Sequence, residues 1–77
     1  MDEQDRHAIF HGVNLETILT RLLRVHQWSG LYERVPVNCF LKSPSIKSSL
    51  TFLRKTPWAR QKIENLYMYL KPEDRQA

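Results

Sequence analysis

Basic and hydroxyl side chains recur at helical spacing in one stretch of the sequence. Lys47, Thr51, Arg54 and Lys55 stand at positions i, i+4, i+7 and i+8, which share one side of an α-helix. Ammonium and guanidinium groups in such a row bind phosphate oxygens through charge-assisted hydrogen bonds. The pattern favours binding of a polyanion, and an ordinary solvated helix face is the alternative.

The positive charge of the chain is confined to its centre. The 77 residues carry a formal charge of +4, yet no acidic residue lies between Val35 and Ile63. Residues 1–34 hold four basic and five acidic side chains, and residues 64–77 hold two and three. The central segment holds six cations, Lys42, Lys47, Arg54, Lys55, Arg60 and Lys62. Because ordinary surfaces mix both signs, this segregation favours an anionic partner.

Two hydroxyl–proline pairs mark the helices that must position these cations. Ser43-Pro44 and Thr56-Pro57 each predict a side-chain N-cap followed by proline in the first helical position. The N-terminus of a helix presents unpaired N–H groups and partial positive charge, so each of these two helix starts is a predicted phosphate-binding site. Trp58, which follows the second proline, is expected to pack in the corner between the two helices, with stacking on a base as the alternative.

Other chemistries lack the residues that they need. His7 and His11 have i, i+4 spacing only in the polar N-terminal stretch, and His26 and Cys39 stand alone. Cys39 lies in an apolar segment and is expected to be an inert core residue. With two glycines there is no glycine-rich phosphate loop. We therefore expect no metal, no cofactor, no small-molecule substrate and no enzymatic activity.

Hydrophobic periodicity predicts an all-α fold, a compact bundle of four helices with no sheet. Asn14 is the predicted N-cap of the first helix and Ser29 that of a short second helix. Val37–Phe40 is expected to be an extended connector that enters the core. The predicted helices cover Leu15–His26, Gly30–Val35, Pro44–Lys55 and Pro57–Leu70.

The predicted organisation is a single domain. Residues 1–10 are expected to be a flexible acidic arm, residues 11–71 the helical domain and residues 72–77 a polar tail. The single cysteine is typical of a reducing compartment. Since neither a signal peptide nor a membrane-spanning run is present, we expect a cytoplasmic protein without a membrane partner.

Several segments together resemble a known family. They are His11-Gly12-Val13, Leu15-Glu16, Ile18-Leu19-Thr20, Trp28, Asn38-Cys39-Phe40, Pro44–Leu50 and Phe52–Arg60. This is a small bacterial family, formerly a domain of unknown function, whose studied member is described as a four-helix protein that binds double-stranded DNA. That member is likened to the C-terminal DNA-binding domain of RecA-type recombinases. The resemblance covers residues 10–70, and it implies an all-helical fold and DNA binding. Arg21 and Arg24 depart from it, because acidic side chains are expected there.

The resulting hypothesis is non-enzymatic binding of duplex DNA, mainly through phosphates and with little base readout. The alternatives are a module that docks on an acidic protein and a protein that binds RNA or single strands, with Trp58 or Tyr69 stacking. Charge and helix geometry select the candidate contacts, Lys42, Lys47, Ser48, Thr51, Arg54, Lys55, Arg60 and Lys62.

Overall fold

The computed structural model describes residues 13–75, so the predicted arm, residues 1–10, lies outside the described part. Within that range the chain forms α-helices and 3₁₀ turns and no β-strand, which confirms the predicted all-α class. The α-helices are α1 (Leu15–Arg34), α2 (Ile46–Lys55) and α3 (Pro57–Met68). Two 3₁₀ turns cover Asn38–Phe40 and Pro72–Arg75.

Helix α1 begins where the sequence predicts and is interrupted at one residue. The Asn14 side chain accepts a hydrogen bond from the Thr17 amide at 2.9 Å, as an N-cap should. Gln27 has φ 61° and ψ 177°, dihedrals that no helical residue adopts. The predicted first and second helices therefore belong to one element with a break at Gln27. Ser29, the predicted N-cap, instead lies within the helical segment that follows.

Helix α2 begins two residues later than predicted. Its N-cap is Ser45, whose hydroxyl accepts from the Ser48 amide at 3.1 Å. Ser43, the predicted cap, has a φ of 45° and belongs to the preceding turn. The prediction of Ser43 was wrong because Pro44 is also compatible with the extended backbone that leads into a cap.

The corner between α2 and α3 is a single residue. Thr56 ends α2 and precedes Pro57, which occupies the first turn of α3 as predicted. The Thr56 carbonyl accepts from the amides of Ala59 and Arg60, each at 3.1 Å, but its hydroxyl makes no capping bond. The hydroxyl cap predicted for Thr56 is therefore wrong, although the helix start is right. Helix α3 ends at Met68, before the predicted Leu70.

The three helices pack against one another around a shared apolar core. The segment after α1 is a 3₁₀ turn and not the predicted extended connector, but Val37 and Phe40 are buried as expected. The ring centroids of Trp28 and Phe40 lie 5.8 Å apart at 40°. The buried core comprises Ile18, Leu19, Leu22, Leu31, Val35, Val37, Phe40, Leu50, Leu53, Ala59, Ile63, Tyr67 and Leu70.

A polar cluster fastens the second 3₁₀ turn to the bundle. The Arg21 guanidinium donates to the Tyr67 hydroxyl at 2.7 Å and also to the Arg75 carbonyl. The Tyr67 hydroxyl in turn donates to the Arg75 carbonyl at 3.2 Å. The Arg75 guanidinium donates to the carbonyls of Met68 and Leu70. Residues 72–75 of the predicted tail thus pack on the helices.

Candidate nucleic-acid interface

The side of α2 that faces away from the core carries the candidate cations. Ser49, Leu50 and Leu53 are buried on one side of the helix. Every candidate residue of α2 is exposed, namely Lys47, Ser48, Thr51, Arg54 and Lys55. At about 100° per residue, this set is centred almost opposite the buried residues. We call these five residues the outer face of α2.

The cations of this face extend over nearly the whole helix. Lys47 and Arg54 are seven residues apart, or about 10 Å along the helix axis, and point within about 20° of each other. Lys55 lies about 80–100° further round the helix. Lys42 is exposed in the turn that precedes α2, so it lies toward the N-terminal end of the same helix.

The two hydroxyls of the outer face already make intramolecular bonds. The Ser48 hydroxyl donates to the Ser45 carbonyl at 3.3 Å and accepts from the Ser45 hydroxyl at 2.9 Å. The Thr51 hydroxyl donates to the Lys47 carbonyl at 3.1 Å. A phosphate would have to compete with these bonds, so the hydroxyls are weaker donors than the cations.

The two candidate cations of α3 do not share a face of that helix. Arg60 is half-buried, whereas Lys62 is exposed. Two residues apart on a helix, they project about 160–200° from each other. Lys62 instead shares the exposed side of α3 with Trp58, four residues earlier.

The candidate cations are not engaged inside the protein. Within residues 13–75, no hydrogen bond or ion pair involves the side-chain nitrogens of Lys42, Lys47, Arg54, Lys55, Arg60 or Lys62. Arg21 behaves differently, because its guanidinium is half-buried and bound to Tyr67 and Arg75. Of Arg21 and Arg24, the two positions of α1 where acidic side chains were expected, only Arg24 is exposed.

Trp58 lies outside the core, contrary to the expectation that it packs in the corner. Its side chain is 54% exposed. Ala59, the next residue, and Leu53 of α2 are fully buried instead. The packing role was expected because an early-turn tryptophan commonly fills such a corner. The buried residues of α3, Ala59, Ile63 and Tyr67, lie about 100–180° from Trp58 around the helix axis, so the indole projects toward solvent.

The other titratable side chains do not assemble into a centre. Cys39 is half-buried, and burial raises the pKa of its thiol, which disfavours the nucleophilic thiolate. Burial and the charge of Arg34 lower the pKa of His26. No group of metal-ligating side chains occurs among the described residues, and His7 and His11 lie outside them. No helix in residues 13–75 combines the length and apolar character needed to cross a bilayer.

Sequence reasoning missed one feature next to the C-terminal end of α3. A shallow pocket of about 280 Å³ is lined by residues of α1, of the end of α3 and of the segment that follows it. The lining residues of α1 are at least 32 positions from those of the other two segments, so no local motif indicates the pocket. Its apolar members include Val25 and Tyr69, two of the four large hydrophobic side chains that are exposed in the described residues.

Comparison with protein families identifies the family of this helical domain. The model of the family described as "DNA-binding protein VF530" matches residues 6–68, which includes all three α-helices. The curated proteins searched contain no significant match to the chain. The predicted resemblance to a DNA-binding family is thereby confirmed. The chain belongs to the family of DNA-binding protein VF530.

Proposed function

We propose that the protein binds double-stranded DNA through the outer face of α2, with no catalytic role. Lys47, Arg54 and Lys55 contact phosphates, and the hydroxyls of Ser48 and Thr51 assist them. Lys42, Arg60 and Lys62 extend the contact beyond α2. Phosphate contacts position a protein without reading bases, so binding is tolerant of sequence.

The proposal depends on the residue types of the outer face of α2 and on the lack of internal partners for its cations. It contains three cations, two hydroxyls and no carboxylate, and it lies opposite the buried side of the helix. The cations have no partner within residues 13–75. Binding DNA therefore breaks no ion pair among the described residues. The chain belongs to a family described as DNA-binding, which favours DNA among the possible polyanions.

The dimensions of the face are compatible with the spacing of phosphates. The row from Lys47 to Arg54 is about 10 Å long, and a DNA strand presents one phosphate per about 3.4 Å of duplex axis. The row can therefore meet about three phosphates of one strand, and Lys42 extends it by one. No exposed Asn or Gln lies on this face, which leaves Arg54 as the single side chain suited to a base edge.

A salt titration tests the proposal. Neutralising about four phosphates gives a slope of about −3.6 in a plot of log K against log salt. Affinity should then fall about 150-fold between 50 and 200 mM salt, equally for duplexes of unrelated sequence. Absence of duplex binding at low salt would refute the proposal and favour an acidic protein as partner.

A double substitution locates the contact. Arg54→Ala with Lys55→Ala should lower duplex affinity at least tenfold at low salt and halve the salt slope, because two of about four phosphate contacts are lost. The thermal midpoint should hardly change, since exposed charges contribute little to folding. The control is Arg24→Ala, which removes an exposed cation from α1. An equal loss in the control, or no loss in the double variant, would place the contact elsewhere.

Binding of duplex DNA implies a location in the cytoplasm, associated with the nucleoid. The likeness to the C-terminal DNA-binding domain of RecA-type recombinases stays a prediction of the family resemblance. The location follows from the proposed function and the likeness from the family resemblance, so neither adds independent support.

A further inference from the structure

The exposed side of α3 carries a second row of side chains, of which the proposed duplex binding uses only Lys62. Trp58, Lys62, Asn65 and Tyr69 stand at positions i, i+4, i+7 and i+11, and all four are exposed. Tyr69 directly follows α3, and its amide donates to the Asn65 carbonyl at 3.3 Å, as in a helix. At about 100° per residue, the four project within about 60° of one another. We call these four residues the outer row of α3.

The two aromatic side chains of this row are unusually open to solvent. Trp58 is 54% exposed and Tyr69 is 84% exposed. Exposed aromatic rings separated by a cation and an amide are typical of surfaces that bind unpaired nucleotides, because every base offers a face for stacking. We propose that the outer row of α3 binds single-stranded DNA, with Trp58 and Tyr69 stacking on bases that are several nucleotides apart.

The charge of this side favours a nucleic acid. The exposed residues of α3 are Pro57, Trp58, Gln61, Lys62 and Asn65, none of which is acidic. Glu64, which carries the one carboxylate of α3, is half-buried and makes an interaction within the protein. Lys62 therefore offers its ammonium to a phosphate between the two rings, and Asn65 offers an amide to a base edge or a phosphate.

The distance between the rings sets the length of the strand. Eleven residues separate Trp58 from Tyr69, which corresponds to about 16 Å along the helix axis. A stacked strand rises about 3.4 Å per nucleotide, so about five nucleotides span the row. A strand of three nucleotides cannot reach both rings, and a strand of six or more can.

The pocket beside Tyr69 can hold the last nucleotide of the bound strand. Val25, Leu66 and Leu70 supply its apolar lining, and Tyr69 contributes an aromatic ring. His26 and the charged side chains of Arg34, Lys71 and Asp74 complete it, so cations outnumber the single carboxylate. A base that stacks on Tyr69 would cover the apolar lining while its phosphate lies near Arg34 or Lys71. The row and the pocket are therefore one continuous site.

Single-strand binding at this site depends on Trp58 and Tyr69, which the proposed duplex binding does not use, so each proposal can fail without the other. The probes are fluorescently labelled oligothymidylates of three, six and ten nucleotides, a ten-base-pair duplex and a ten-nucleotide oligouridylate. Trp58→Ala and Tyr69→Ala should each lower affinity for ten thymidylates about tenfold, the scale of one base–aromatic stack. Both variants should leave duplex affinity unchanged. Trp58→Phe should retain most of the affinity, because a ring remains.

The length series and a matched control sharpen the test. Affinity should rise steeply between three and six nucleotides and little beyond. Leu41→Ala removes another exposed apolar side chain, 52% exposed and outside the row, and should have no effect. Arg54→Ala with Lys55→Ala should lower duplex affinity while the dependence on Trp58 and Tyr69 persists.

Three results would overturn the proposal. One is unchanged affinity for ten thymidylates in both aromatic variants. Another is tighter binding of oligouridylate than of oligothymidylate through the same two rings, which would make RNA the ligand. The third is a concentration-dependent dimer that Trp58→Ala dissociates, in a protein that binds no single strand, which would assign the row to contact with a second copy.

Discussion

Replacing Gln27 by glycine is expected to stabilise the protein. At φ 61° and ψ 177°, Gln27 occupies a region of backbone conformation that is essentially restricted to glycine. Holding another residue there costs about 1–3 kcal/mol. Glycine removes this cost but loses about 0.5–1 kcal/mol through the greater freedom of the unfolded chain. The expected net gain in the free energy of unfolding is about 1 kcal/mol.

The side chain of Gln27 contributes little to the free energy of unfolding, so its removal in the glycine variant costs little. It is exposed, and it makes no side-chain hydrogen bond within residues 13–75. For a domain of this size, about 1 kcal/mol raises the thermal midpoint by about 4–8 °C. Circular dichroism during heating measures the midpoint, and urea denaturation gives the free energy of unfolding with an unchanged slope.

Gln27→Ala is the matched control, because alanine removes the polar group but keeps the Cβ atom that causes the strain. Its free energy of unfolding should stay within about 0.5 kcal/mol of the parent chain. If the glycine variant is no more stable than the alanine variant, position 27 does not have a positive φ. Helix α1 would then run without interruption from Leu15 to Arg34.

Two further predictions concern the polar contacts of α1. Tyr67→Phe should lower the free energy of unfolding by about 1–3 kcal/mol in urea denaturation, because the buried ring would lose a hydroxyl bound to Arg21 and Arg75. No measurable change would show that the second 3₁₀ turn is not held by this cluster. His26 has a pKa below its ordinary 6.5, so the unfolded chain binds the proton more tightly than the folded protein does. The free energy of unfolding should therefore be fully present above about pH 6.5 and fall as the pH decreases below it. His26→Gln should flatten this dependence, and an unchanged profile would contradict the assignment.

Local signals in the sequence were sufficient for most of the helices. Asn14 followed by the spacing of Ile18, Leu19 and Leu22 predicts the start of α1, because cap and periodicity are both local. Thr56-Pro57 likewise predicts the turn between α2 and α3. These predictions succeeded since proline and an apolar stripe restrict the backbone wherever they occur.

The same kind of signal was ambiguous where two neighbours competed. Ser43 and Ser45 both flank Pro44, and the choice of Ser45 as the cap depends on a turn with positive φ at Ser43. The break in α1 falls at Gln27 instead of at Ser29 and Gly30, the better helix breakers. The ring of Trp28 lies near that of Phe40, and local sequence preferences do not predict this contact between residues twelve positions apart.

Charge separation along the chain, helix class and the helical spacing of Lys47, Thr51, Arg54 and Lys55 follow from residue order alone, because each depends on neighbours within two turns. Residue order alone does not determine which side of a helix is exposed to solvent. The exposure of Trp58, the opposite directions of Arg60 and Lys62, and the capture of Arg21 by Tyr67 and Arg75 depend on how α1, α2 and α3 pack. Packing joins residues far apart in the chain, and only the folded arrangement specifies it.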